Sequence, residues 1–550
     1  MKKKNKTISK KSAMNMFFSG VFILTLANIL VKSVGLISKI ALNRVVGSVG
    51  AGYYSSAYEI YAFLYIISTS GLPVAMSIMV SKCRARGNFK EAKKIYDVAV
   101  VLFLVIGALF ATAMLVFSKD IADLIYAPKT TLCIIAIAPT ILFVCISSCL
   151  RGYFQGYQLM HPTAISQFIE ACCKVLVGVG FAIWARYMGY EDHIVAAYTI
   201  LGVTVGVFLG MVFLYLKKLF FKEKLYNSAF LSEMIGVLEN DACRGTKELL
   251  KELLSIAIPV TLSSAVLSLT IIIDTFMVQG RLLAHGLEET LVRIYYGDYT
   301  SLVISMCNLP TVLFYPIVNA LVPLISVSEE SGDYEASAKM RAFSLRIINM
   351  IAIPCTLGLS IFSYPILDLL MFKTDSVERA APWLSVAAIS VVFLGLISAT
   401  NAFLNTAGRQ ALPIISMVCG AFVKLIANYF LLESIGIYGA PISTVLCYLV
   451  ASTLNVFFTI KYVGRLPDLK RIFVYPIICS IISIGFSALL YWILSFVIYE
   501  KIATVICIIV AVVGYVFMIV KTKIVTKHEI MLLPHGEKIA KMLVKLKILA

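Results

Sequence analysis

The sequence predicts an all-α integral membrane protein of about fourteen transmembrane helices, arranged as two pseudo-symmetric six-helix lobes plus two C-terminal helices. Composition is the first observation behind this. Of 550 residues, 60% are hydrophobic and 14% are charged, whereas a soluble domain is about half apolar and a quarter charged. The second is that the apolar residues gather in runs of the length a helix needs to cross a bilayer, roughly 20 residues. The third is that basic residues gather between alternate runs, on one side only.

The apolar runs place spans at 17–41, 53–80, 95–117, 130–150, 161–185, 194–216, 253–279, 299–327, 342–364, 381–404, 412–432, 440–460, 472–496 and 503–520. The first run follows a basic segment, Lys2 to Lys11, and is too long for the core of a cleaved signal. It reads as a retained span. With the N-terminus inside, and Arg346 at the edge of the ninth span counted with the inner segment before it, the inner segments hold 35 of the 48 Lys and Arg, the outer loops hold 9 and the spans hold 4. Basic loops stay in the cytoplasm, so both termini are expected there, in a bacterial cytoplasmic membrane. Trp184, Trp383 and Trp492 are the three tryptophans, and all fall at expected outer span ends, where indoles favour the interface.

This gives a first lobe at 1–216, a linker at 217–252, a second lobe at 253–460, two further spans at 461–520 and a basic tail at 521–550. The net charge of +18 follows from that topology, and no nucleic-acid partner is expected. Linker and tail each mix lysines with apolar residues. Either can lie as an amphipathic helix on the anionic inner leaflet, in contact with membrane lipids, or stand as a solvated basic segment. The thirteen cysteines fall in spans or inner segments, so no disulfide and no metal site is expected.

The chain repeats itself. Gly71-Leu72-Pro73 precedes an inner loop with Gly87-Asn88-Phe89-Lys90-Glu91-Ala92; Asn308-Leu309-Pro310 precedes Gly332-Asp333-Tyr334-Glu335-Ala336. Gly156, Pro162 and Lys174 recur as Gly408, Pro413 and Lys424, at offsets of 252, 251 and 250. Six spans separate the copies, so both start inside. Parallel repeats of this kind belong to transporters that hold substrate between their halves.

Charges at membrane depth are costly, about 3 kcal/mol or more each, unless they face a partner or water. In the first span Thr25, Asn28, Lys32, Gly35 and Lys39 form one helical stripe, with Arg44 beyond it. The stripe turns toward a wet cavity or an anion; Lys39 and Arg44 can instead snorkel to the outer interface. Lys174 and Lys424 sit mid-span at matching positions. Glu170 lies one turn before Lys174, a favourable pairing that would hide both charges. Glu59 and Asp274 are acids in the outer third of spans 2 and 7. Each can bind a coupling cation or proton, or pair with Lys39. Pro73, Pro259, Pro310, Pro316 and Pro354 lie in or near spans and favour kinks. There is no phosphate loop, dinucleotide fingerprint, zinc spacing or nucleophile constellation, so neither catalytic residues nor a cofactor is expected. His161 reads as an interfacial residue.

Four passages carry a family resemblance. They are Lys32-Ser33-Val34-Gly35 with Lys39 and Arg44-Val45-Val46-Gly47; Gly71-Leu72-Pro73-Val74-Ala75 with the Gly87-Asn88-Phe89 loop; Gly156 to Thr163 with Ser166, Gln167 and Glu170; and Asp274 with Arg281, then Tyr296-Gly297-Asp298-Tyr299. The sequence resembles the multidrug/oligosaccharidyl-lipid/polysaccharide exporter superfamily. Within it, it is similar to the polysaccharide-biosynthesis group, which includes lipid II flippases and a sporulation branch. Lysines stand at 32, 39 and 174 where that group usually has arginine. They keep the charge and lose the bidentate fork. The resemblance implies a non-enzymatic flippase that exports an undecaprenyl-diphosphate-linked glycan, with lipid II foremost, by alternating access. Lys32, Lys39, Lys174, Lys424, Arg44 and Asn28 would be the substrate contacts, and Glu59, Asp274 and Glu170 the coupling or ion-pair acids. Membrane potential, a sodium ion or a proton would drive the cycle, and cell-wall or spore-cortex synthesis machinery would be partners. A different lipid-linked polysaccharide precursor, or cation-coupled multidrug export on the same fold, are the rival functions.

Overall fold

The computed structural model describes residues 2–86, 88–157, 159–221, 244–314, 325, 334–371, 374–464 and 468–522, with side chains in the first helix described mainly from 41 onward. Most of the linker, at 222–243, and the tail from 523 lie outside the described residues. So does most of the expected eighth span beyond 314, including Pro316.

Helices make up the fold, and no β-strand occurs among the described residues. Lipid offers no hydrogen bonds to a backbone, so apolar chain must satisfy its own amides as helix. Nine stretches among the described residues are long and apolar enough to cross a membrane, ten if the bent pair Asp375–Ala387 and Ser390–Thr406 is one span. Two of the nine, Ala41–Arg84 with 44 residues and Ala411–Tyr462 with 52, exceed the length of a single crossing.

The chain divides into two compact units, Met1–Gly280 and Arg281–Ala550. Unit 1 holds α1 (Lys2–Thr69), α2 (Gly71–Ala85), α3 (Phe89–Val116), short α4 (Ser118–Leu124), α5 (Thr131–Gly156), α6 (His161–Tyr187), α7 (Asp192–Leu219) and most of α8 (Thr246–Ala284).

The first two expected spans meet differently from the reading of the apolar runs. α1 runs on to Thr69 and is broken within its length at Gly47, with φ 76° and ψ 171°. A residue with a Cβ resists that conformation. A helix break frees carbonyls, and here Arg186 of α6 takes two of them. It donates to Val45 O at 3.2 Å and Val46 O at 2.6 Å, and pairs with Asp192 at 2.7 Å. The expected second span is itself divided at Ser70, ahead of Gly71-Leu72-Pro73. There the Thr69 and Ser70 hydroxyls donate back to Tyr65 O at 2.8 Å and Ile66 O at 2.6 Å.

Helices in unit 1 approach closely where they carry glycine. A Cβ on Gly202 would sit 2.4 Å from the Gly178 backbone, and one on Gly152 would sit 2.7 Å from Pro73 O. Close van der Waals contact between small residues is what joins helices in lipid.

Unit 2 holds α9 (Glu289–Asp298), a π turn at Tyr299–Val303, α10 (Ile304–Asn308), α11 (Tyr334–Ile361), α12 (Ser363–Met371), α13 (Asp375–Ala387), α14 (Ser390–Thr406), α15 (Ala411–Ile435), α16 (Gly439–Tyr462), α17 (Tyr475–Leu494) and α18 (Glu500–Lys521). The last two helices pack as a pair, with Ser483 donating to Ala511 O at 2.6 Å. Tyr515 donates to Met350 O of α11 at 2.9 Å, and Lys501 lies 4.0 Å from Asp368 of α12. Pro259 and Pro354 lie inside α8 and α11.

The tryptophans split. Trp184 and Trp492 are exposed, as interfacial indoles need to be, but Trp383 is 3% exposed and packs edge-on against Tyr295 at 5.3 Å. That third residue is a packing residue of unit 2, because α13 turns it inward.

Candidate functional site

Beyond Gly47, α1 presents Tyr54, Tyr58, Tyr61 and Tyr65 at spacings of four, three and four, which is one helical face. Their rings form a ladder, with successive centroids 5.7, 5.7 and 5.9 Å apart. Against this face α6 sets Ser166, Glu170 and Lys174, one turn apart from each other, and α5 sets Arg151.

Lys174 and Glu170 do not pair along their helix. The Lys174 ammonium lies 4.2 Å over the Tyr58 ring. A cation over an aromatic face is worth about 0.5–2 kcal/mol. The Glu170 carboxylate instead accepts from Arg151 Nη2 in a short contact. Arg151 also donates from Nε to Ser166 Oγ at 3.1 Å. The expected Glu170–Lys174 pair is therefore corrected to Glu170–Arg151. A planar guanidinium on the neighbouring helix outcompetes a flexible ammonium one turn away.

Two glycines of α7 make room for Glu170, Gly210 for its carboxylate and Gly206 for its backbone carbonyl. A Cβ on Gly210 would stand 2.8 Å from Glu170 Oε1, and one on Gly206 would stand 2.8 Å from Glu170 O. Glu59, next to Tyr58, and Asp274 of α8 are both buried. Gln279 of α8 donates to Ser56 Oγ at 3.1 Å, tying that helix to α1. Arg44 is exposed. The side chains of Asn28, Lys32 and Lys39 lie outside the described residues.

In unit 2 the matching lysine, Lys424 of α15, is 1% exposed. One turn on, Asn428 accepts from Ser443 Oγ at 2.5 Å, and Tyr299 and Thr444 share a hydrogen bond of 3.4 Å.

A second charged cluster lies at the end of unit 1 that charge placement assigns to the cytoplasm. Asn88 caps α3, accepting from the Glu91 amide at 2.9 Å and donating to Glu91 Oε2 at 3.2 Å. Arg244 reaches in from the start of α8. It donates from Nε to Glu91 Oε1 at 2.7 Å and from Nη1 to Glu252 Oε2 at 2.5 Å. Lys82 adds a contact of 3.5 Å to Glu252, and Lys94 donates to Arg244 O at 2.6 Å. Hydrogen bonds to Glu252 and Glu91 hold Arg244 above its ordinary value. Burial opposes the Glu252 carboxylate, but Arg244 and Lys82 outweigh it and hold Glu252 below the usual carboxylate value.

Sequence reading passed over Arg151, Arg186, Arg244 and the tyrosines. Arg151 had a signal, being a lone charge against the end of an apolar run. The tyrosines had another, an aromatic stripe at helical spacing.

Long apolar helices in two units, each with basic side chains held inside it, define a multi-pass membrane protein of the transporter type. Comparison with known proteins agrees. A family profile described as polysaccharide biosynthesis protein matches residues 17–329, and one described as MatE matches 300–430. The chain belongs to the polysaccharide biosynthesis protein family, within the multidrug/oligosaccharidyl-lipid/polysaccharide exporter superfamily. It is 26% identical to stage V sporulation protein B of Bacillus subtilis, over 85% of this chain and 88% of that protein. It is also 26% identical to the lipid II flippase MurJ of Bacillus subtilis, over 87% and 89%. Among solved structures, an inward-facing multidrug resistance MATE family transporter superposes with a TM-score of 0.64 at 14% identity, over 80% of this chain and 98% of that one. Lipid II flippase MurJ in an inward closed conformation also gives 0.64, at 12% identity, over 90% and 98%.

Proposed function

We propose that the protein is a flippase that carries a polyprenyl-diphosphate-linked glycan precursor outward across the bacterial cytoplasmic membrane. The observation that carries this reading is Lys174. Its ammonium lies over the Tyr58 ring, while the carboxylate one turn away is committed to Arg151. A cation held this way at membrane depth suits an incoming anion, and a cationic drug would be repelled by it. Family membership and the two Bacillus subtilis relatives support the same class of cargo.

Lipid II is the cargo we favour. Lys32 and Lys39 join Lys174 as diphosphate contacts, with Asn28 and Arg44 beside them. An inside-negative potential favours export, since one charge crossing 100 mV gains about 2.3 kcal/mol. Sodium or proton coupling falls to the buried acids Asp274 and Glu59. Both termini are cytoplasmic, and the protein serves cell-wall or spore-cortex synthesis.

The test is translocation of fluorescent lipid II, and of a second prenyl-diphosphate-linked glycan, by purified protein in liposomes. Accessibility to an impermeant quencher reports the transfer. Transfer that requires Lys174 is expected. Failure to move any such lipid would overturn the reading, and transfer of the second glycan alone would overturn the choice of lipid II.

A further inference from the structure

Arg151 is a buried guanidinium of unit 1, and it is occupied by the protein's own carboxylate. Two observations argue that this ion pair is more than a staple between α5 and α6. The first is the internal repeat. At the offset that relates Lys174 to Lys424, Glu170 corresponds to Gly420. There α15 packs tightly on α16, with a Cβ on Gly420 standing 2.6 Å from Cys447 O. A glycine cannot form an ion pair, so the second copy of the repeat lacks one at this position. The second is the surroundings of Arg151. Ser147 lies one turn before it on α5, and Thr163 lies one turn before Ser166 on α6. Both side-chain hydroxyls are almost fully buried and make no hydrogen bond in the described structure. Two unused donors, one turn from Arg151 and one turn from its partner Ser166, suit an oxygen-rich anion, and a carboxylate already bound leaves them unfilled.

Order of exposure fits as well. Lys174 is half-buried, the Glu170 side chain is 16% exposed and the Arg151 side chain behind it is 7% exposed. Glu170 touches Arg151 and lies one helical turn before Lys174, in the space that Gly210 leaves for it.

Resting on the flippase reading, we propose that Arg151 is a second phosphate-binding cation of the site, and that Glu170 holds the phosphate's place until the substrate displaces it. Lys174 receives the diphosphate first; Arg151 then exchanges Glu170 for a phosphate oxygen, with Ser147 and Thr163 as added donors. Glu170 is a positioning residue, and it acts as an internal competitor.

Competition predicts opposite signs for the two partners, which a staple does not. The experiment is binding of farnesyl diphosphate to the full chain in nanodiscs, with farnesol as the uncharged control. Glu170→Gln removes the competitor and should tighten binding about tenfold, the scale of one charge-assisted hydrogen bond. Arg151→Gln should weaken it about as much, and the double variant should match Arg151→Gln. Equal weakening by both single variants, or no change in either, overturns the proposal. Where Glu170→Gln fails to fold, Gly210→Ala keeps both charges and presses a methyl on the carboxylate. It should tighten binding two- to three-fold, an expectation of about 0.5 kcal/mol; unchanged or weaker binding overturns the proposal in that case too. Wild-type protein that neither binds farnesyl diphosphate nor flips a prenyl-diphosphate glycan sinks the flippase reading itself, whatever the signs.

Discussion

The two halves of the chain repeat a pattern of motifs, yet they place their charges differently. In unit 1, α5 and α6 are joined by Arg151 and Glu170. In unit 2, α14 and α16 are joined by two amides, Asn455 donating to Asn401 at 2.7 Å, and Gly420 stands where Glu170 would be. Lys174 lies over a tyrosine at a half-buried position, while Lys424 is sealed. The inner loops differ too. Glu91 is buried and clamped by Arg244, whereas Glu335 is exposed and pairs along its own helix, 2.7 Å from Lys339. The shared scaffold tolerates neutral or sealed residues at these places. Charge in unit 1 is therefore an addition to the fold, and its cost at membrane depth asks for a function.

The largest expected effect tests the joints between helices. Arg151→Ala leaves a buried carboxylate without its partner and should lower stability by about 3–5 kcal/mol. Asn401→Ala removes an amide partner and should lower it by about 1–3 kcal/mol. Thermal unfolding of each variant in the same detergent compares them. Equal losses would mean that the ion pair carries no more than a polar joint, and the contrast between halves would fail there.

The next test separates the two lysines. Lys174→Gln should weaken prenyl-diphosphate binding about tenfold while leaving the melting temperature close to wild type, because one cation–π contact is worth about 0.5–2 kcal/mol. Lys424→Gln should do the reverse, lowering the melting temperature and sparing affinity, because its side chain is sealed inside unit 2. Affinity lost equally at both positions would return Lys424 to the substrate contacts, as the repeat alone suggests.

Much of the scaffold was legible because lipid makes the rules strict. A run of apolar residues must be helical, so α3, α5, α6, α7, α17 and α18 fall where hydropathy places spans. Helix breaks were harder to see. Ser70 interrupts an apolar run without a change in hydropathy, and Gly47 breaks a helix that continues where hydropathy places a loop; what marks them is hydroxyls bonded back to the preceding turn and a positive φ. The candidate site was half legible. Lys174 stood out as a charge in an apolar run, and Glu170 as its neighbour. Their actual partners, Tyr58 and Arg151, are set by which helices lie side by side, and spacing along one helix carries no information about that. Trp383 failed for a related reason, since an indole at a span end can face a neighbouring helix as well as the interface.

The smallest effect concerns the inner loops and their response to pH. Arg244 and Lys82 hold Glu252 below the usual carboxylate value against the opposing effect of burial. An unfolded glutamate titrates near about 4.3. A carboxylate whose folded value is depressed adds stability that is complete above the unfolded value and disappears as pH falls through the folded one. Glu252→Gln should therefore lower the melting temperature at pH 7, by an amount equivalent to about 1–2 kcal/mol for one hydrogen bond between charged groups. The gap from wild type should close as the pH drops below about 4, and high salt should narrow it, since the pair is partly exposed. Glu335→Gln in the equivalent loop should shift the melting temperature at neither pH, because an exposed pair one turn apart contributes little. A gap for Glu252→Gln that persists unchanged at low pH would show that its amide is accommodated badly for steric reasons. The clamp would then differ from the exposed Glu335 pair of unit 2 in packing rather than in charge.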